Sequence, residues 1–222
     1  MNNDFIIILA WPEGLVTASG AWYDKWWNPF LNNEGKYRVG HSALALVNSK
    51  TKNIHYFDFG RYHTPFGFGR VRDMETDPDI SIKEKAEIDN NKIKNIENIL
   101  LDISTNIEHH GEGATYASLV NNINFKRAFN YAKSMQQKGL IPYGPFVLNG
   151  TNCSRFVAKI TRISGVSFLQ RMRFKFPFCV SPSPKRNVAI GNNNYYIVLK
   201  NKVKKIRKSP LKSYFSSIES YE

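Results

Sequence analysis

Cys153 stands in Gly150-Thr151-Asn152-Cys153-Ser154-Arg155-Phe156-Val157, where a helix should begin. Asn152 is a residue type that caps helices, and Phe156-Val157 opens an apolar face behind it. A thiol at a helix N-terminus is biased toward thiolate, because unpaired N–H groups and the helix dipole favour negative charge there. His41 lies in Gly40-His41-Ser42-Ala43-Leu44-Ala45-Leu46-Val47, at the mouth of an alternating strand. An imidazole folded onto such a thiol makes a nucleophile–base pair able to attack a carbonyl, with helix-start N–H groups holding the oxyanion. Taken singly, a cysteine is more often a small core hydrophobe. The pair is what carries meaning.

A base histidine needs a polar partner to fix its tautomer. The following strand offers two with opposite facing, His55 and Asp58. Phe57 and Phe59 share parity with His55 and mark the core side, so Tyr56, Asp58 and Gly60 should face the site. Asp58 is therefore preferred and His55 is the alternative. Arg61, Arg70 and Arg72, in a loop rich in glycine and aromatics, could hold a substrate carboxylate or phosphate. They could equally pair with acids such as Asp73 and Glu75. Arg61, Arg70 and Tyr143, the last on the approach to the cysteine, are the expected substrate contacts. His109-His110-Gly111-Glu112 matches no metal motif, and no metal site is expected. Trp22, Tyr23, Trp26 and Trp27 suit a local core or a lid over the site better than a membrane interface.

These residues need elements to hold them. Phe5 to Trp11 reads as a buried strand, Tyr37 to Asn48 as the histidine strand, and Ile54 to Gly60 as its hairpin return. His41, Ala43, Ala45 and Val47 share one face, whose small side chains leave room for a helix to approach. An aromatic helix or long loop is expected from Leu15 to Phe30, and a strand from Ile80 to Ile88. Helices are expected over Lys92 to Ile103, Phe125 to Gln137 and about Asn152 to Ile163. Phe174 to Cys179 and Tyr195 to Val203 read as late strands separated by a Pro- and Asn-rich loop.

The 222 residues suffice for one domain, and 42% hydrophobic content is ordinary for a globular chain. Net charge is +13, much of it after the cysteine helix and in a run from Lys200 to Lys212, where a solvated face or loose tail is expected. That run could meet an anionic surface. No nucleic-acid motif accompanies it, so no specific nucleic acid is expected as partner. Two cysteines build neither a disulfide framework nor a zinc site. No secretory signal is legible, which points to the cytoplasm, where a thiol stays reduced.

Asn152-Cys153-Ser154-Arg155-Phe156-Val157 is similar to the Asp/Asn-Cys-Ser-x-x-Val segment of the circularly permuted NlpC/P60 (papain-like) superfamily, and Gly40 to Leu46 resembles its histidine strand. The histidine precedes the cysteine, reversing the order of papain and standard NlpC/P60 peptidases. The resemblance spans residues 37–60 and 140–165. It implies an α+β papain-like fold, an antiparallel sheet packed against the nucleophile helix. It also implies a cysteine hydrolase that cleaves an amide bond, peptide or cell-wall-type, through a thioester and without cofactor. Cys153 would attack, His41 would shuttle the proton, and Asp58 or His55 would orient the imidazole; the family pattern admits either. The superfamily includes lecithin:retinol acyltransferase-like enzymes, so a lipid acyltransferase or phospholipase is the alternative. A non-enzymatic binder of anionic ligands or nucleic acid is a second. Residues 1–200 would form one catalytic domain, with 1–36 and 61–80 elaborating the substrate site and 201–222 a basic tail. A small peptide, amide or acyl compound is the expected substrate.

Overall fold

A computed structural model describes residues 3–17, 36–38, 40–177 and 183–215. Its strands are β1 (Asp4–Trp11), β2 (Leu15–Thr17), β3 (Lys36–Arg38), β4 (His41–Val47), β5 (Ile54–Gly60), β6 (Phe68–Arg72), β7 (Ile88–Asp89), β8 (Lys92–Ile93), β9 (Thr115–Ile123), β10 (Ile141–Pro142), β11 (Asn194–Leu199) and β12 (Lys202–Arg207). The helices are α1 (Ile96–Thr105), α2 (Phe125–Gln137), α3 (Cys153–Ile163), α4 (Phe168–Lys175), α5 (Pro184–Gly191) and α6 (Pro210–Phe215). Among the described residues, eight strands form one sheet in the order β10-β6-β5-β4-β1-β9-β11-β12, and every neighbouring pair is antiparallel. The fold is α+β, a large antiparallel sheet packed against the cysteine helix among several others.

Both faces of the sheet are covered, which is why β1 is apolar at consecutive positions rather than alternating. On one face Ile6, Ile8, Leu44, Leu46, Phe57 and Phe59 meet Phe156, Val157 and Ile160 of α3, Ala128 and Ala132 of α2, and Val188 of α5. Each fully buried large aliphatic or aromatic side chain there contributes about 1.5–3 kcal/mol. On the other face Ile7, Leu9, Trp11, Ala43, Ala45 and Tyr56 meet Ile99, Leu100 and Ile103 of α1. The alanine stripe of β4 thus admits α1, not the cysteine helix. α3 packs instead on the Leu44–Leu46 side, and its N-terminus reaches the open end of β4 where His41 sits.

Several expected elements are redrawn. The histidine strand is two strands, β3 and β4, separated by Gly40 at φ +71. A Cβ on Gly40 would lie 2.5 Å from the Trp11 carbonyl oxygen, so only glycine lets β4 start this close to the end of β1. Residues 81–87 are irregular and the strand expected there is absent, while β7 and β8 form a small hairpin that delays α1 to Ile96. Phe174 and Lys175 close helix α4 rather than open a strand. The Pro- and Asn-rich loop contains α5, whose Ser183 cap accepts from the Arg186 N–H. β9, sandwiched between β1 and β11, had no counterpart in the sequence reading.

The basic stretch after residue 200 is not a free tail over its first part. Lys200 and Asn201, both at positive φ, turn the chain, and β12 pairs with β11 along its whole length as the sheet's edge. Lys202, Lys204 and Lys205 face solvent on that edge. Lysines there discourage edge-to-edge pairing with another chain, a physical use for the charge run. The aromatic segment around Trp22 to Trp27 and Cys179 lie outside the described residues.

Candidate active site

α3 begins at Cys153, as the sequence suggested, and the Asn152 side chain accepts from the Arg155 N–H at 2.8 Å. Arg155 in turn donates to the carbonyls of Gly144 and Pro145, tying the preceding loop to the helix. Buried Asn187 of α5 donates to the Ser154 carbonyl at 2.8 Å, a support that no local sequence signal announced. The thiol is buried, 6% exposed, at the opening turn of a helix whose first N–H groups have no partner within it.

His41 is the register partner of Trp11, and their rings stack at 5.9 Å and 20°. Its Nε2 lies 3.3 Å from Asp58 Oδ2 and 3.1 Å from the Tyr62 hydroxyl. Asp58, on β5 opposite Ala43, is fully buried. Arg72 of β6 clamps it from beside, Nε to Oδ1 at 3.0 Å and a terminal nitrogen to Oδ2 at 2.7 Å. The hydroxyls of Tyr56 and Tyr62 donate to the same Oδ2 at 3.2 and 2.9 Å.

These contacts set the charge states. Burial alone would raise the Asp58 pKa, but hydrogen bonds from His41 and Arg72 prevail and hold it far below the usual carboxylate range. Burial alone would lower His41, but the Asp58 and Cys153 contacts win and raise it to about 9. Burial pushes the Cys153 thiol up, yet hydrogen bonding and charge attraction to His41 bring it below its ordinary value. The Ser42 N–H and the Ser154 hydroxyl assist. Opposite displacements on two neighbouring groups favour thiolate beside imidazolium.

Of the expected site residues, the structure puts His41 and Asp58 3.3 Å apart and Cys153 at the start of α3. His55 points the other way, packed against Phe125 and Phe129 of α2 with ring centroids 5.3 and 5.2 Å away, so it cannot reach His41. Arg70 is not a cavity residue. It grips Asp77 with two bonds of 2.6 Å and donates to the Tyr62 carbonyl. Arg72 serves Asp58, and Asp73 and Glu75 pair instead with Lys133. Arg61 and Tyr143 do line the cavity beside His41, the guanidinium 5.5 Å over the tyrosine ring. That cavity, about 810 Å³, is also lined by Gly60, Tyr62, Phe66, Ile107, His110 and Glu112. Trp11, Tyr62 and Arg72 are the site residues whose positions in the cluster went unread. Nothing local in the sequence told which partner each would find.

His109 is buried with Nδ1 and Nε2 facing the carbonyls of Ile103 and Ile80 at 2.9 and 3.0 Å, a structural role that leaves no ring nitrogen for a metal. Among the described residues no cluster of three metal-ligating side chains occurs. A second cavity of about 870 Å³ lies on the outer face of α2 and α3, lined by Lys138, Lys159 and Arg162, and shares no lining residue with the first. No described helix is long and apolar enough to cross a membrane.

An antiparallel sheet between helical layers, with a helix-start cysteine beside a strand-end histidine and a buried aspartate, defines an α+β protein with a Cys–His–Asp cluster. The chain belongs to the type VI secretion system effector TseH-like family, whose model matches residues 6–167. A crystal structure of the type VI secretion system effector TseH aligns with a TM-score of 0.62 and 17% identity over 92% of this chain and 98% of that one. At that identity the likeness is one of fold. No curated protein matches the sequence.

Proposed function

We propose that this chain is a cysteine hydrolase of the permuted papain-like kind that cleaves an amide bond, peptide or cell-wall-type, through a thioester. The observation that carries the reading is the arrangement itself: buried Cys153 opens helix α3, and strand-end His41 lies 3.3 Å from fully buried Asp58. The electrostatics agree with it, thiol down and imidazole up. The thiolate attacks the carbonyl carbon, and the oxyanion that forms is held by N–H groups at the start of α3. Imidazolium gives its proton to the leaving amine as the C–N bond breaks, leaving a thioester and neutral His41. His41 then takes a proton from water, whose oxygen attacks the thioester. Collapse releases the carboxylic acid and restores the thiolate–imidazolium pair. The family description, a secretion system effector, supports action at a place reached by export, instead of the cytoplasmic expectation.

Iodoacetamide labelling at pH 6 to 7, read by intact mass, tests the reading. Cys153 should label well ahead of Cys179, and His41→Ala should slow Cys153 about tenfold or more. Equal labelling of both cysteines, indifferent to His41→Ala, would remove the ground for an enzyme.

Phe66 and Ile107 line the same cavity yet are 70% and 82% exposed, and such apolar exposure favours the lipid-ester alternative as the second reading. Co-sedimentation with anionic vesicles at physiological salt separates the two, since only the lipid reading needs binding.

A further inference from the structure

Four donors converge on one oxygen of Asp58: Arg72 at 2.7 Å, Tyr62 at 2.9 Å, Tyr56 at 3.2 Å and His41 at 3.3 Å. A carboxylate oxygen has about two lone-pair sites, so four bonds cannot all be good ones. Arg72 and Tyr62, the nearest, take them. His41 is the farthest of the four and has a closer partner, the Tyr62 hydroxyl oxygen at 3.1 Å.

We propose that His41 is oriented through Tyr62: Nε2–H donates to the phenol oxygen, the phenol O–H donates to Asp58, and Arg72 anchors the carboxylate. Tyr62 has one proton, and the short contact to Asp58 uses it, so the oxygen left facing His41 can only accept. Burial and the Asp58 charge hold the phenol pKa well above its ordinary value, so the proton stays on oxygen and none is transferred along the chain. A buried chain of bonds ending in a charged pair strengthens each link. The ring is fixed for this task. Arg72 lies 3.5 Å over it and His110 stacks on it at 5.4 Å. Gly60 clears its path, since a Cβ there would sit 2.4 Å from a Tyr62 ring carbon.

Tyr62 is a positioning residue acting through His41, and the inference rests on the hydrolase reading of the same site. Asp58 becomes chiefly the anchor of the chain, its own 3.3 Å contact to the imidazole the longest of the four.

NMR titration of the His41 ring in the full chain tests this, with folding checked by near-ultraviolet circular dichroism. Tyr62→Phe, which keeps the ring and deletes the hydroxyl, should lower the His41 midpoint from about 9 by about one unit, a tenfold loss of proton affinity. Asp58→Asn should lower it by a similar amount. Gly60→Ala, which leaves the hydroxyl but crowds the ring, should move it the same way. A Tyr62→Phe midpoint equal to wild type, with Asp58→Asn shifted, would overturn the inference and return the role to Asp58 directly. Cys153→Ala separates the two levels. If it leaves the His41 midpoint unmoved, the thiol–imidazole pair and the hydrolase reading fail, whatever Tyr62 does.

Discussion

Replacing Arg72 with methionine removes the guanidinium from Asp58 while keeping an unbranched apolar stem. Asp58 is fully buried and Arg72 is 3% exposed, so solvent cannot take over the lost bonds. The substitution deletes both contacts to the carboxylate, the 3.1 Å bond to the Glu108 carbonyl and the cation over the Tyr62 ring. Breaking a buried ion pair from one side costs about 3–5 kcal/mol, mostly from the charge left behind. Against the 5–15 kcal/mol typical of a folded domain, that should leave a protein folded at 25 °C but much weakened. The pH dependence is the sharper signature. In the wild type the folded Asp58 pKa is depressed, so its contribution is present above the unfolded value near 4 and lost as pH falls through the folded one. In Arg72→Met burial is less opposed and the carboxyl moves up, so mild acid neutralises the stranded charge. The stability gap to wild type should therefore be widest at pH 7 and narrow toward pH 4. Urea unfolding of both proteins at the two pH values measures it. A gap under about 1 kcal/mol, or one equal at both pH values, would refute the argument that this pair is buried and mutually dependent.

Hydrolysis of an amide substrate should follow a bell in pH whose alkaline limb falls near 9, where the His41 imidazolium loses its proton, and an alkaline limb near 6.5 would mean that His41 is not paired as described. Ending the chain at Lys200 should expose β11 as a bare edge carrying Tyr195 and Ile197 and drive the protein into aggregates; a soluble, monomeric truncation seen by light scattering would show that β12 does not guard the edge. Asn152→Ala should cost about 1 kcal/mol of stability through the lost bond to the Arg155 N–H and slow Cys153 alkylation modestly, with no loss in a urea titration counting against the cap.

What could be read without coordinates was local. The cap at Asn152 and the full extent of α2, with Gly139 at positive φ beyond it, follow from side-chain chemistry within a few residues. So does the hairpin of β4 and β5. β9 escaped because Thr115 to Ile123 mixes polar and apolar residues without clean alternation, and its burial comes from β1 and β11, distant in sequence. The strand expected at Phe174 lost to helix α4, where the Ser167 cap and packing of Phe174 outweigh aromatic strand propensity.

Residue types and their spacing were enough to put a thiol at a helix start and a histidine at the opening of an earlier strand, and to turn Asp58 and His55 to opposite faces. Period two settles which residues share a face, but not which layer covers that face. Long-range packing settled the rest: α1 lies on the alanine stripe and α3 on the leucine side, Arg72 and two tyrosine hydroxyls share Asp58, and the Tyr62 hydroxyl contacts both aspartate and histidine. Those partners come from β5, β6 and the turn between them, and a side-chain bond across strands depends on distances of a few tenths of an ångström that no residue spacing encodes.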